Sequence, residues 1–69
     1  MKTIFSKRLR ELREDKNLSM QELAVIINVS NAAISNWENE INEPKISYLV
    51  ALAKYFGVSA DYLLGLKEE

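Results

Sequence analysis

The sequence predicts an all-α fold of five short helices, and three observations carry that expectation. Apolar residues recur at helical spacing through most of the chain. The formula Asn or Gly, then Leu or Val, then Ser occurs three times, at Asn17-Leu18-Ser19, Asn28-Val29-Ser30 and Gly57-Val58-Ser59. With 69 residues, no cysteine, two glycines and one proline, the chain must close a small core without disulfides. Short helices joined by tight turns do this most economically.

In chain order, Ile4, Phe5, Leu9 and Leu12 place an amphipathic helix over residues 4–15, with basic residues between them. Its basic residues read either as part of a positive binding face or as a solvated face with charge pairs at helical spacing, as Arg10 with Glu14 would be. At Asn17-Leu18-Ser19 the asparagine turns left-handed, the leucine packs inward, and the serine oxygen satisfies open amides of the next helix. Ser19 with Glu22 forms a capping box and Leu18 with Leu23 a hydrophobic staple, so a second helix spans residues 20–27. Ser30 caps a third helix, 31–39, with Val29 stapled to Ile34. Pro44 closes the polar loop Glu40-Ile41-Asn42-Glu43, and Ile46, Leu49, Leu52, Ala53 and Phe56 mark a fourth helix. Ser59 opens a fifth, with Val58 stapled to Leu63, and Gly65 ends it at once after Leu64. No linker, repeat or low-complexity stretch divides the chain, so residues 1–69 read as one domain.

Composition excludes several chemistries. Without cysteine or histidine there is no thiol nucleophile and none of the usual zinc, haem or acid-base ligands. The acidic pairs Glu14 with Asp15 and Glu38 with Glu40 have no Gly-rich loop or partner base, so neither an enzyme nor a cofactor is expected. Ser6-Lys7-Arg8 interrupts the start before any apolar run could act as a signal or membrane segment, which predicts a cytoplasmic protein with no membrane partner. The net charge of -1 is unevenly spread. Residues 1–16 hold six basic against three acidic side chains, and the remainder three basic against seven acidic. Such a field can offer a positive face to a polyanion although its total is near zero. Trp37, Tyr48, Tyr55 and Tyr62 are potential stacking platforms for single strands, but Trp37 falls on the core face.

The junction at Asn28-Val29-Ser30 bears on function. A three-residue turn between helices 20–27 and 31–39 is too tight for antiparallel packing, so the two helices cross steeply, as in a helix-turn-helix. Ala24 sits at the closest approach, Val29 plugs the turn, and Ile34 and Trp37 face inward. Asn31, Ala32, Ser35, Asn36 and Asn39 then point outward. They are small or polar and uncharged, and asparagine can pair with adenine N6 and N7.

Several motifs together resemble the phage-repressor-like (Cro/repressor, XRE-type) helix-turn-helix family. They are Arg8-Leu9-Arg10-Glu11-Leu12-Arg13, Leu18-Ser19-Met20-Gln21-Glu22-Leu23-Ala24, Val29-Ser30-Asn31-Ala32-Ala33-Ile34-Ser35-Asn36-Trp37-Glu38, Pro44, and Phe56-Gly57-Val58-Ser59-Ala60-Asp61-Tyr62-Leu63-Leu64-Gly65. The resemblance implies a compact five-helix, lambda-repressor-like domain that binds double-stranded DNA as a dimer, its third helix in the major groove. It implies base reading by Asn31, Ala32 and Asn36, joined by Ser35 from the same outward face, and backbone contacts from Ser30, Asn39 and the loop before helix four, with Asn42 and Lys45. It also implies an ion pair between Arg13 and Glu38. Met20 stands where the family often carries a phosphate-touching glutamine, which leaves neighbouring Gln21 as the candidate. Glycine is common in the family at the positions of Asn17, Asn28 and Glu40. Glu40 is the poorest substitute, and with Glu43 it sets negative charge near the phosphates.

The resulting expectation is a sequence-specific transcriptional regulator, a repressor, on a pseudopalindromic operator with half-sites about 34 Å apart. Leu63, Leu64 and Leu66 are the candidate homodimer surface. The alternative is an antitoxin-type or other interaction module that uses the same helices to hold a protein partner, docking where Ile41, Leu66 and one of Leu63 or Leu64 are exposed.

Overall fold

Each helix of the protein ends in the same way. In the computed structural model, which describes residues 4–68, the helices are α1 (Phe5–Asp15), α2 (Met20–Ile27), α3 (Asn31–Glu38), α4 (Ile46–Phe56) and α5 (Ala60–Leu64). Residues 1–3, with Lys2 of the basic stretch, and Glu69 lie outside the described residues. Asn17, Asn28, Glu40, Gly57 and Gly65 all have positive φ, between 57° and 84°. The next residue in each case returns its amide to a carbonyl five positions back: Leu18 to Arg13, Val29 to Ala24, Ile41 to Asn36, Val58 to Ala53 and Leu66 to Asp61, at 2.8 to 3.1 Å. This is the Schellman closure, which satisfies carbonyls left open at a helix end. Sequence analysis anticipates it at the three serine junctions and, through Gly65, at the end of α5; the fifth, at Glu40-Ile41, closes on a non-glycine residue without a following serine.

Serines start three of the helices. Ser19 accepts from the Glu22 amide at 3.0 Å while the Glu22 carboxylate accepts from the Ser19 amide at 2.8 Å, a complete capping box. Ser30 and Ser59 accept from the amides of Ala33 and Tyr62. Leu18, Val29 and Val58, each just ahead of a cap, pack against the core.

The core takes Phe5 and Leu9 from α1, Leu23, Ala24 and Ile27 from α2, Ile34 and Trp37 from α3, Leu52 and Ala53 from α4, and Leu63 from α5. α2 lies against α3, α1 braces both α3 and α5, and α4 contacts α2 and α5. Among the described residues there is no strand, and no helix is long and apolar enough to cross a membrane.

The structure corrects several details. α1 begins at Phe5 with Ile4 ahead of it, and α3 ends at Glu38, leaving Asn39 just past its end. Ile46, expected on the apolar stripe of α4, is largely exposed. Arg10 pairs with Glu38 of α3 rather than with Glu14 of its own helix, because a buried carboxylate lies within reach. Leu63 is fully buried and cannot belong to a dimer surface: stapling to Val58 turns it inward, and Leu64 and Leu66 are the exposed pair.

Candidate nucleic-acid interface

α3 presents an uncharged outer face. Asn31 and Ala32 are exposed, and Ser35 and Asn36 are half-buried. The helix has a single charged residue, Glu38, which is buried. Period explains the division, since Ile34 and Trp37 occupy the core side and leave these four on the other. Asn39 is exposed, but its Nδ2 donates back to the Ser35 carbonyl at 2.9 Å and to the Ser35 hydroxyl at 3.2 Å, which orients it along the helix.

A cleft of about 350 Å³ runs beside this face, between α3 and the segment leading into α4. Ser30 and Asn36 form one wall, and Asn42, Glu43 and Lys45 the other. The cleft is floored by Trp37 and Tyr48, whose rings are 5.8 Å apart. The structure thus brings Ser30, Ala32, Asn36, Asn42 and Lys45 together on one surface. Gln21 is exposed at the start of α2 and does not line the cleft.

α1 grips the C-terminal end of α3. Arg13 donates to both oxygens of Glu38, at 2.7 and 3.1 Å, and to the Leu18 carbonyl at 2.7 Å. Those bonds to Glu38 raise the Arg13 pKa above its ordinary value. Arg10 adds a 3.5 Å contact to one Glu38 oxygen and a 3.0 Å bond to the Glu38 carbonyl. Ser6, buried, donates to the Trp37 carbonyl at 2.6 Å.

Sequence reasoning missed Arg8. It is buried, donates to the carbonyls of Tyr62 and Lys67, and lies 4.2 Å from the centre of the Tyr62 ring. Its position carries a usable signal, because Phe5, Arg8, Leu9 and Leu12 share the 3-4-7 spacing of a single face. A second, apolar depression of about 290 Å³ is lined by Phe5, Pro44, Ile46, Leu49 and Leu64, with Glu43 at its margin.

Comparison with known proteins places these features in context. A family model described as Helix-turn-helix matches residues 9–63. The HTH-type transcriptional regulator YobD of Bacillus subtilis (strain 168) is 36% identical over 66 residues, 96% of this chain and 59% of that protein. The HTH-type transcriptional activator BcrR of Enterococcus faecalis is 39% identical over 64 residues, 93% of this chain and 31% of its own length. The chain therefore spans between about a third and three-fifths of these relatives. Among solved structures, the P22 c2 repressor in complex with synthetic operator 9T superimposes with a TM-score of 0.84 at 36% identity, covering 91% of this chain and 96% of that one.

Proposed function

The chain belongs to the helix-turn-helix family, and from that premise we propose that it is a sequence-specific transcriptional regulator that binds duplex DNA. The observation that carries this reading is the outer face of α3. A short helix held rigidly by a buried ion pair presents only small and amide side chains, which suits insertion into the major groove. Asn31, Ala32, Ser35 and Asn36 read base edges, the asparagines toward adenine and the Ala32 methyl toward apolar base edges. Ser30, Asn42 and Lys45 on the cleft, with Gln21 and Asn39 beyond it, follow the phosphates.

So small a reading surface needs two copies for specificity. We place the homodimer contact at Leu64 and Leu66 together with the apolar depression beside Ile46, a surface that excludes Leu63. A two-fold dimer then matches a pseudopalindromic operator. Repression by occupancy is the mode such a domain performs with binding alone, and a cytoplasmic location goes with it. The reading includes no catalytic step.

Selection of binding sites from random duplexes, followed by titration of the selected duplex at several salt concentrations, tests the proposal. Enrichment of two-fold sites and affinity that falls steeply with salt are expected. A folded protein that binds no duplex even at low salt would refute it, and would favour an interaction module that holds a protein partner through the apolar surface.

A further inference from the structure

On the duplex-DNA reading above, we infer that Arg10 is a phosphate-binding residue, the one arginine of α1 whose charge is available to a nucleic acid. Arg8 is buried against Tyr62 and two carbonyls. Arg13 closes both oxygens of Glu38, and its side chain is 11% exposed. The Arg10 side chain is 46% exposed, and its ionic contact, 3.5 Å, is at the outer limit for a hydrogen bond. The oxygen it approaches already accepts from Arg13. One buried carboxylate therefore faces two guanidiniums, and the trio keeps one positive charge, carried by its exposed member.

That charge sits at the C-terminal end of the proposed reading helix. Arg10 Nη2 donates to the Glu38 carbonyl at the C-terminal end of α3, next to Asn39. A helix C-terminus gathers partial negative charge, and α3 has no basic residue in its last turn. Glu40 and Glu43 follow in the next loop, and Glu43 lines the cleft beside the proposed backbone contacts. A phosphate passing this end would meet repulsion from the helix and from both carboxylates. Arg10, which does not line the cleft, supplies from α1 the cation that offsets it. The rival role is that of a prop for Glu38. A prop affects melting but not the number of counterions released on binding, so the two roles are separable.

The test uses the full chain as wild type, Arg10→Gln and Arg10→Lys, titrated between about 50 and 200 mM salt against a selected duplex and an unrelated one. Since each phosphate contact adds about 0.9 to the slope of log affinity against log salt, Arg10→Gln should lower that slope by about one. It should also weaken binding to both duplexes alike, about eightfold at 0.1 M salt. Arg10→Lys should keep the wild-type slope. A folded Arg10→Gln with an unchanged slope overturns the assignment. So does an Arg10→Gln that fails to fold, because the arginine would then be a prop. If the wild type binds no duplex, the reading on which this rests fails first; if the wild type binds, the outcome bears on Arg10 alone.

Discussion

Arg13→Ala would strand the Glu38 carboxylate, whose side chain is fully buried and which loses the guanidinium that holds both of its oxygens. Breaking a buried ion pair from one side costs about 3–5 kcal/mol when nothing else compensates. Here Arg10 still reaches one oxygen, at 3.5 Å, which puts the expected loss near the lower end, about 3 kcal/mol. The Leu18 carbonyl loses a donor as well. A domain of this length is stable by roughly 3–10 kcal/mol, so the change removes a large share. At roughly 4–8 °C per kcal/mol for so small a domain, Tm should fall by roughly 12–24 °C. Circular dichroism melts of wild type and variant read this directly, and urea midpoints should shift without a change of m-value. The folded-state pKa of Arg13 is raised, so its contribution is fully present below the ordinary arginine value and fades only as pH rises through the raised one. The difference in Tm should therefore stay constant between about pH 7 and pH 10. A Tm within about 2 °C of wild type would refute the buried-pair argument.

Glu40→Gly should relieve the left-handed strain at φ 61°. A strain of about 1–2 kcal/mol set against about 0.5–1 of added chain entropy leaves a rise of a few degrees in Tm. Glu40→Ala should tighten DNA binding through the lost charge without that thermal gain; equal melting of the two variants would contradict the strain. In Gly65→Ala the new Cβ would collide with Cγ2 of Ile4 at φ +84°, so a loss of about 1–3 kcal/mol is expected in denaturant melts. An unaffected variant would show that Ile4 yields freely. On the proposed DNA complex, Asn36→Ala should relax base preference by about 1–3 kcal/mol. Lys45→Ala should weaken every duplex alike and lower the salt slope by about one. A selection profile unchanged in Asn36→Ala would remove that residue from base reading.

What is legible in the sequence is local chemistry. The Asn and Gly positive-φ turns and the serine caps of α2, α3 and α5 depend on residues within a few positions of one another, and their side chains announce them. The outward face of α3 follows from two large apolar residues, Ile34 and Trp37, whose spacing leaves little choice. For Leu63 and Leu64 periodicity gives no help, because α5 spans five residues; the staple to Val58 already points Leu63 inward, against its assignment to a dimer surface. Glu40 misleads in another way: its left-handed backbone is imposed by the Ile41 amide reaching the Asn36 carbonyl, and its own side chain gives no hint of it. Arg8 and Arg10 read, by charge alone, as part of a solvated basic face. Their partners, Tyr62 and Lys67 for one and Glu38 for the other, lie from 28 to 59 residues along the chain.

The Arg8 anchor makes the described chain nearly a closed circle. Its guanidinium holds the Lys67 carbonyl at 2.6 Å, and Ile4 lies against Gly65, so the two ends of the described backbone adjoin. Order along the chain is then partly arbitrary with respect to the contacts. A short linker joining the ends, with a cut in the exposed loop at residues 41–43, would give the order α4, α5, α1, α2, α3 while leaving each helix beside its present neighbours. Such a circular permutant would have its new ends at the margin of the cleft. Anything fused there would be tethered at the proposed DNA surface.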